Sequence, residues 1–190
     1  MDMRRHLRQR GMDPDLYNLA IYEDHYECAW VDDIDMSSVT FYLHNLSGQL
    51  VGYQRYTPAF TKCKSNNPAM SRYYLFCRTG VTAVFGLEQL DPSKPDLFLT
   101  EGIIKAAVLH RLGYNAISVM TCAPKPMVEW IRLMRTQYNI FAIGDGDRGG
   151  RLLVDIVGTG IQTDIDLDEM PDEDIISMIS NLTCRKPSEL

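Results

Sequence analysis

The chain has 190 residues, 45% hydrophobic and 23% charged, with a net charge of −6, which excludes a collagenous, fibrous or globally disordered protein. No apolar run is long enough to span a bilayer, and the basic start, Met1 to Arg10, lacks the apolar core of a secretory signal, so no membrane partner and a cytoplasmic location are expected. The five cysteines, Cys28, Cys63, Cys77, Cys122 and Cys184, are odd in number and show no C-x-x-C spacing, which argues against a disulfide framework or a zinc ribbon.

The first stretch, to Asn18, reads as a short helix or a loose arm. Extended material follows at Tyr22–Val31 and Val39–His44. Asn45-Leu-Ser-Gly48 is a turn and Gln49–Tyr56 resumes the extended pattern, which together make a β-hairpin. Residues 57–70 hold two prolines and two asparagines and read as a long loop. Tyr73–Arg78 is extended again. From Met36 to Leu87 there is no Asp or Glu, yet Arg55, Lys62, Lys64, Arg72 and Arg78 all fall there. They are interleaved with Tyr42, Tyr53, Tyr56, Phe60, Tyr73, Tyr74 and Phe76. Cations contact phosphates and aromatic faces stack single-stranded bases. The alternative is that the aromatics fill the core of a small β-rich subdomain and the cations are simply solvated.

Asp91-Pro-Ser-Lys-Pro95 reads as a linker, which divides the chain into 1–95 and 96–190. Beyond it strands and helices alternate. Asp96–Thr100, Asn115–Met120, Ile140–Gly144 and Gln162–Leu167 are predicted strands. Ile103–Leu112, Met127–Gln137, Gly149–Val157 and Pro171–Leu182 are predicted helices, with Gly113 and Gly158 as stop signals. The pattern predicts an α/β fold with a four-stranded, mostly parallel sheet covered on both faces. A basic middle contrasts with the acidic run from Asp164 to Asp174, which has no Lys or Arg.

Ligands of such sheets sit at the carboxyl ends of the strands. Glu101 follows the first of these strands and Asp145 the third. Asp145 and Asp147 form an Asp-x-Asp whose alternate side chains point the same way, among glycines that permit close backbone approach. Three hard oxygen donors without His or Cys suit Mg²⁺ or Mn²⁺. An Asp-x-Asp alone is as readily a surface turn; its pairing with a Glu-Gly at a matching strand end makes a metal site the better reading.

Leu97-Phe-Leu-Thr-Glu-Gly102, Gly113-Tyr-Asn-Ala-Ile-Ser118 and Ile143-Gly-Asp-Gly-Asp-Arg-Gly-Gly150 resemble the Toprim domain of bacterial-type primases, type IA and II topoisomerases, OLD-family nucleases and RecR-type repair proteins. The resemblance spans Asp96 to Asp174 and implies a Rossmann-like fold. It makes Glu101, Asp145 and Asp147 the catalytic, metal-holding acids. Upstream, Leu46-Ser-Gly-Gln-Leu-Val-Gly-Tyr-Gln-Arg55, Tyr73–Arg78 and Val84-Phe-Gly-Leu-Glu-Gln-Leu90 are similar to the segments that precede Toprim in primases. The implied protein is a phage-type DNA primase core, a nucleotidyltransferase making short RNA primers with Mg²⁺ or Mn²⁺. Its partners would be a single-stranded DNA template and nucleoside triphosphates, together with a replicative helicase or a separate zinc-binding factor, in the host cytoplasm if phage-encoded.

The resemblance makes Arg55 and Arg78 the preferred template or nucleotide contacts. Lys62, Lys64, Arg72 and Lys125 are further candidates, Lys125 either touching phosphate or solvated. Asp164, Asp166 and Asp168 either support a second metal or form a solvated acidic loop. There are departures. No Cys/His zinc framework and no G-x-x-x-x-G-K-[ST] occur, and Lys105 stands where primases and nucleases often carry Asp. Two alternatives stay open: a Toprim nuclease using the same acids, and a non-catalytic accessory protein that binds nucleic acid.

Overall fold

The structure, a computed structural model, describes residues 1–23, 25–26, 34–60 and 70–184. Lys62, Lys64, Cys28 and Cys63, and most of the long loop predicted over 57–70, lie outside the described residues. The chain divides into two compact units, Met1–Ala83 and Val84–Leu190.

The first unit opens with helix α1 (Met3–Gln9), capped by Asp2, whose carboxylate accepts from the Arg5 amide at 2.9 Å. Met3 and Leu7, one helical turn apart, are fully buried. Strand β1 (Leu19–Tyr22) follows, then the short pair β2 (His25–Tyr26) and β3 (Ile34–Asp35), then β4 (Ser38–His44), β5 (Leu50–Tyr56) and β6 (Tyr73–Cys77). The antiparallel sheet has the order β1-β4-β5-β6. The predicted hairpin is present. Asn45 Oδ1 accepts from the Ser47 and Gln49 amides at 3.0 and 2.9 Å, and Gly48 takes the left-handed conformation that the turn needs, φ 77°. Val39, Phe41 and Leu43 bury one face of β4, whereas Thr40, Tyr42 and His44 on its other face are half-buried.

The second unit contains β7 (Asp96–Thr100), α2 (Ile103–Arg111), β8 (Asn115–Ser118), α3 (Val128–Met134), β9 (Asn139–Asp145), α4 (Arg148–Val157), β10 (Gly160–Thr163) and α5 (Asp172–Thr183). The expected strand–helix alternation is therefore present, with every pairing in the sheet parallel and the order β10-β9-β7-β8. Strands β7 and β9 are central, and their apolar runs are buried on both faces, as a covered parallel sheet requires. Phe98 stacks on Phe141 at 5.6 Å and meets Tyr114 edge-on at 5.7 Å. Arg111, at the end of α2, forms two hydrogen bonds of 2.8 and 2.6 Å with Asp172, at the start of α5.

Three details differ from the sequence reading. The segment predicted as a linker lies inside the second unit: Phe85 exchanges backbone hydrogen bonds with Ser118, and Asn115 accepts from the Asp91 amide. Strand β8 ends at Ser118, because Met120 adopts φ 57° and turns the chain out of the sheet. Strand β10 ends at Thr163, where its partner β9 also ends, so Asp164, Asp166 and Asp168 lie beyond the strand.

Candidate functional site

The order of the second sheet decides what the acids can do together. From β7 the chain moves to β8 on one side, while β9 lies on the other, so β7 and β9 flank the topological switch point. Glu101 leaves the end of β7 and Asp145 ends β9. The Asp145 amide points at Glu101 Oε1, 3.4 Å away. Ser118 Oγ donates to the Glu101 carbonyl at 3.0 Å and anchors its backbone from β8.

Asp147 caps α4. Its Oδ1 accepts from the Gly150 amide at 2.9 Å, in the position where a carboxylate also complements the helix dipole. Gly150 sits hard against the end of β9: a Cβ there would lie 2.0 Å from the Asp145 carbonyl oxygen. The turn is closed by Gln162 on β10, whose side-chain amide donates to the carbonyls of both Asp145 (2.7 Å) and Asp147 (2.8 Å). Sequence reasoning missed Gln162, and a lone glutamine near a strand end carries no motif that would have found it.

It also missed the part played by Lys105. This residue is only 7% exposed, on a helix whose other residues from Ile103 to Leu109 are buried and apolar. Its ammonium is ion-paired with Asp145 Oδ1 and lies 3.3 Å from Asp166 Oδ1. A single lysine within an apolar helical run was the available signal, because a buried ammonium needs a carboxylate partner. Glu101 is half-buried, and burial pushes its carboxyl above the usual range; the Lys105 charge opposes that shift and the Asp147 charge adds to it.

Of the remaining acids, Asp164 lies against the Asp-x-Asp turn, its Oδ1 2.5 Å from where a Cβ on Gly146 would stand. Asp166 joins through Lys105, and Asp168 follows the buried Leu167. The donor set is all carboxylate and fits a hard divalent cation in kind. Among the described residues, however, no three His, Cys, Asp or Glu side chains stand together as a ready-made metal pocket. One oxygen of each acid in the predicted trio already has a partner: Glu101 Oε1 faces the Asp145 amide, Asp145 Oδ1 meets the Lys105 ammonium, and Asp147 Oδ1 caps α4.

The predicted nucleic-acid residues fall in both units. In the first, Tyr42, Tyr53 and Phe76 stand opposite one another across β4, β5 and β6, and Thr40, Arg55 and Tyr74 form the next row. Paired residues of an antiparallel sheet share a face, so these side chains build one surface. On it Tyr53 stacks on Phe76 at 5.5 Å and the Arg55 guanidinium lies over the Tyr74 ring at 5.4 Å. Phe76 is exposed; Tyr42, Tyr53, Arg55 and Tyr74 are half-exposed. Tyr56 and Phe60 are buried instead, and Tyr56 stacks on His6. Arg78 is exposed beyond β6, whereas Arg72 is half-buried and donates to the Phe60 carbonyl at 2.7 Å. Lys125, exposed in the second unit, follows β8.

No protein-family model matches the chain, and no curated protein matches it in sequence. Solved structures do match. The DnaG catalytic core aligns with 95% of this chain and 72% of its own at a TM-score of 0.62 and 15% identity. The zinc-binding and RNA polymerase domains of Aquifex aeolicus primase align with 93% of this chain and 55% of their own, at 0.62 and 16%. The primase fragment of the bacteriophage T7 primase-helicase aligns with 92% and 71%, at 0.60 and 15%. The chain has the mixed α/β fold of DNA primase cores.

Proposed function

We propose that the chain is a Toprim-type DNA primase core, a nucleotidyltransferase that makes short RNA primers on single-stranded DNA. The observation that carries this reading is the approach of Glu101 to Asp145 across the switch point of the second sheet, with Asp147 on the same turn as Asp145. Glu101, Asp145 and Asp147 would hold Mg²⁺ or Mn²⁺. When bound, such an ion neutralises triphosphate charge and favours the in-line attack of a 3′-hydroxyl. The chain's own groups do the rest. Gln162 and Gly150 set the direction of both aspartates. The aromatic and arginine face of the first sheet offers stacking surfaces and a cation to a strand with unpaired bases. The likeness to primase cores, which extends over 95% of the chain and so includes the first unit, supports synthesis over hydrolysis.

The test is incubation with single-stranded DNA, labelled ribonucleoside triphosphates and Mg²⁺ or Mn²⁺. Short oligoribonucleotides should form. Asp145→Ala should reduce them by more than the roughly 10–100-fold that loss of an outer partner of a metal centre brings. A shortened template without new oligomers would instead establish a nuclease. Binding without either product would establish an accessory protein.

A further inference from the structure

Lys105 is out of place by every ordinary rule of helix patterning. Its neighbours on α2, Ile103, Ile104, Ala106, Ala107, Val108 and Leu109, are the inner residues of an apolar helix, and its side chain is more than nine-tenths buried with them. Burying an ammonium is unfavourable unless carboxylates compensate it. Here the compensation comes from two different elements: Asp145 at the end of β9, and Asp166 in the segment after β10. The Lys105 nitrogen is enclosed, and it makes no hydrogen bond of regular geometry among the described residues. It is held by charge, between carboxylates that would otherwise repel one another. That is the office of a cation in an acidic centre, and Lys105 fills it from within the chain.

We propose that Lys105 is a resident competitor for the divalent cation at this centre, and that its ammonium must yield Asp145 before a metal ion uses that carboxylate. The inference rests on the metal-binding reading of Glu101, Asp145 and Asp147. A positive charge already on Asp145 would oppose the arrival of a divalent cation at the same carboxylate. The centre therefore binds metal more weakly than its carboxylates alone would. The lysine also keeps the acids together when no metal is present. Both consequences belong to Lys105, and both are lost when its charge is removed.

The experiment measures Mn²⁺ binding to the full chain by electron paramagnetic resonance of the free ion, with no nucleotide or DNA present. Lys105→Met, apolar and of similar length, should bind Mn²⁺ at least tenfold more tightly than the unaltered chain, and Lys105→Arg should not. Equal binding by the unaltered chain and Lys105→Met overturns the competitor proposal and leaves the metal centre standing. Absence of binding to both overturns the competitor and the metal centre together. Lys105→Gln supplies a second, thermodynamic readout. Its melting temperature should rise more with millimolar Mn²⁺ than that of the unaltered chain, and an equal or smaller rise counts against the proposal.

Discussion

A methyl group on Gly150 would have to occupy space already filled by the backbone of Asp145, with atoms at 2.0 and 2.3 Å. Neither neighbour is the free end of a side chain, so the start of α4 must move away from β9. Gly150→Ala should lower stability by about 3 kcal/mol, the upper range for overpacking, and should misdirect the carboxylates of Asp145 and Asp147. Gly102→Ala is the control. A Cβ there meets nothing within 4 Å and φ is −115°, so the variant should lose only about 1 kcal/mol, the cost of alanine at the N-cap of α2. Urea unfolding of the two variants checks the difference. Among single residues, the strand-end positions of Glu101, Asp145 and Asp147 were legible because residue types and strand ends are written in the chain. Lys105 and Gln162 were not, because each acquires its role from atoms on another element.

At the scale of elements, α2 joins the site to the rest of the second unit. Its Lys105 turns toward the acids, and its His110 lies under Gly86, with Nε2 donating to the Ala116 carbonyl at 2.8 Å. Burial lowers the His110 pKa; the Ala116 bond opposes that shift, and the Lys94 charge adds to it. In the first unit His6 is lowered as well, by burial and then by Arg10 and Arg72. A histidine whose folded pKa lies below its unfolded value near 6.5 binds fewer protons folded than unfolded in the window between them. Its contribution to stability is then complete above about 6.5 and is lost as pH falls through the folded value. The urea midpoint should drop between pH 7.5 and pH 5, and His110→Gln should flatten part of that slope in the second unit. Element types along 96–184 followed from periodicity and glycine stops. The ends of β8 and β10 did not, because Met120 leaves the sheet by its backbone conformation and β10 stops where its partner stops.

At the scale of the whole molecule, a chain of net charge −6 carries its aromatic and arginine surface on one unit and Glu101, Asp145 and Asp147 on the other. Single-stranded binding should therefore divide into a salt-dependent and a salt-independent part. Arg55→Ala should reduce the slope of log affinity against log salt by about 0.7, the value for one phosphate contact on a single strand. Tyr53→Ala should weaken binding by about 1–3 kcal/mol with the slope unchanged, as expected for lost stacking. Fluorescence anisotropy with an oligonucleotide across a salt series separates the two. The sequence by itself determined the strand–helix alternation, the parallel character of the second sheet and the presence of carboxylates at its strand ends. Periodicity, turn chemistry and residue type are local properties and survive in the linear chain. Only the tertiary structure decided that β7 and β9 are neighbours across the switch point, that Tyr42, Tyr53 and Phe76 share one face, and that a buried lysine lies among the acids. Strand order and register depend on contacts between residues far apart in the chain, and so does the pairing of a buried charge.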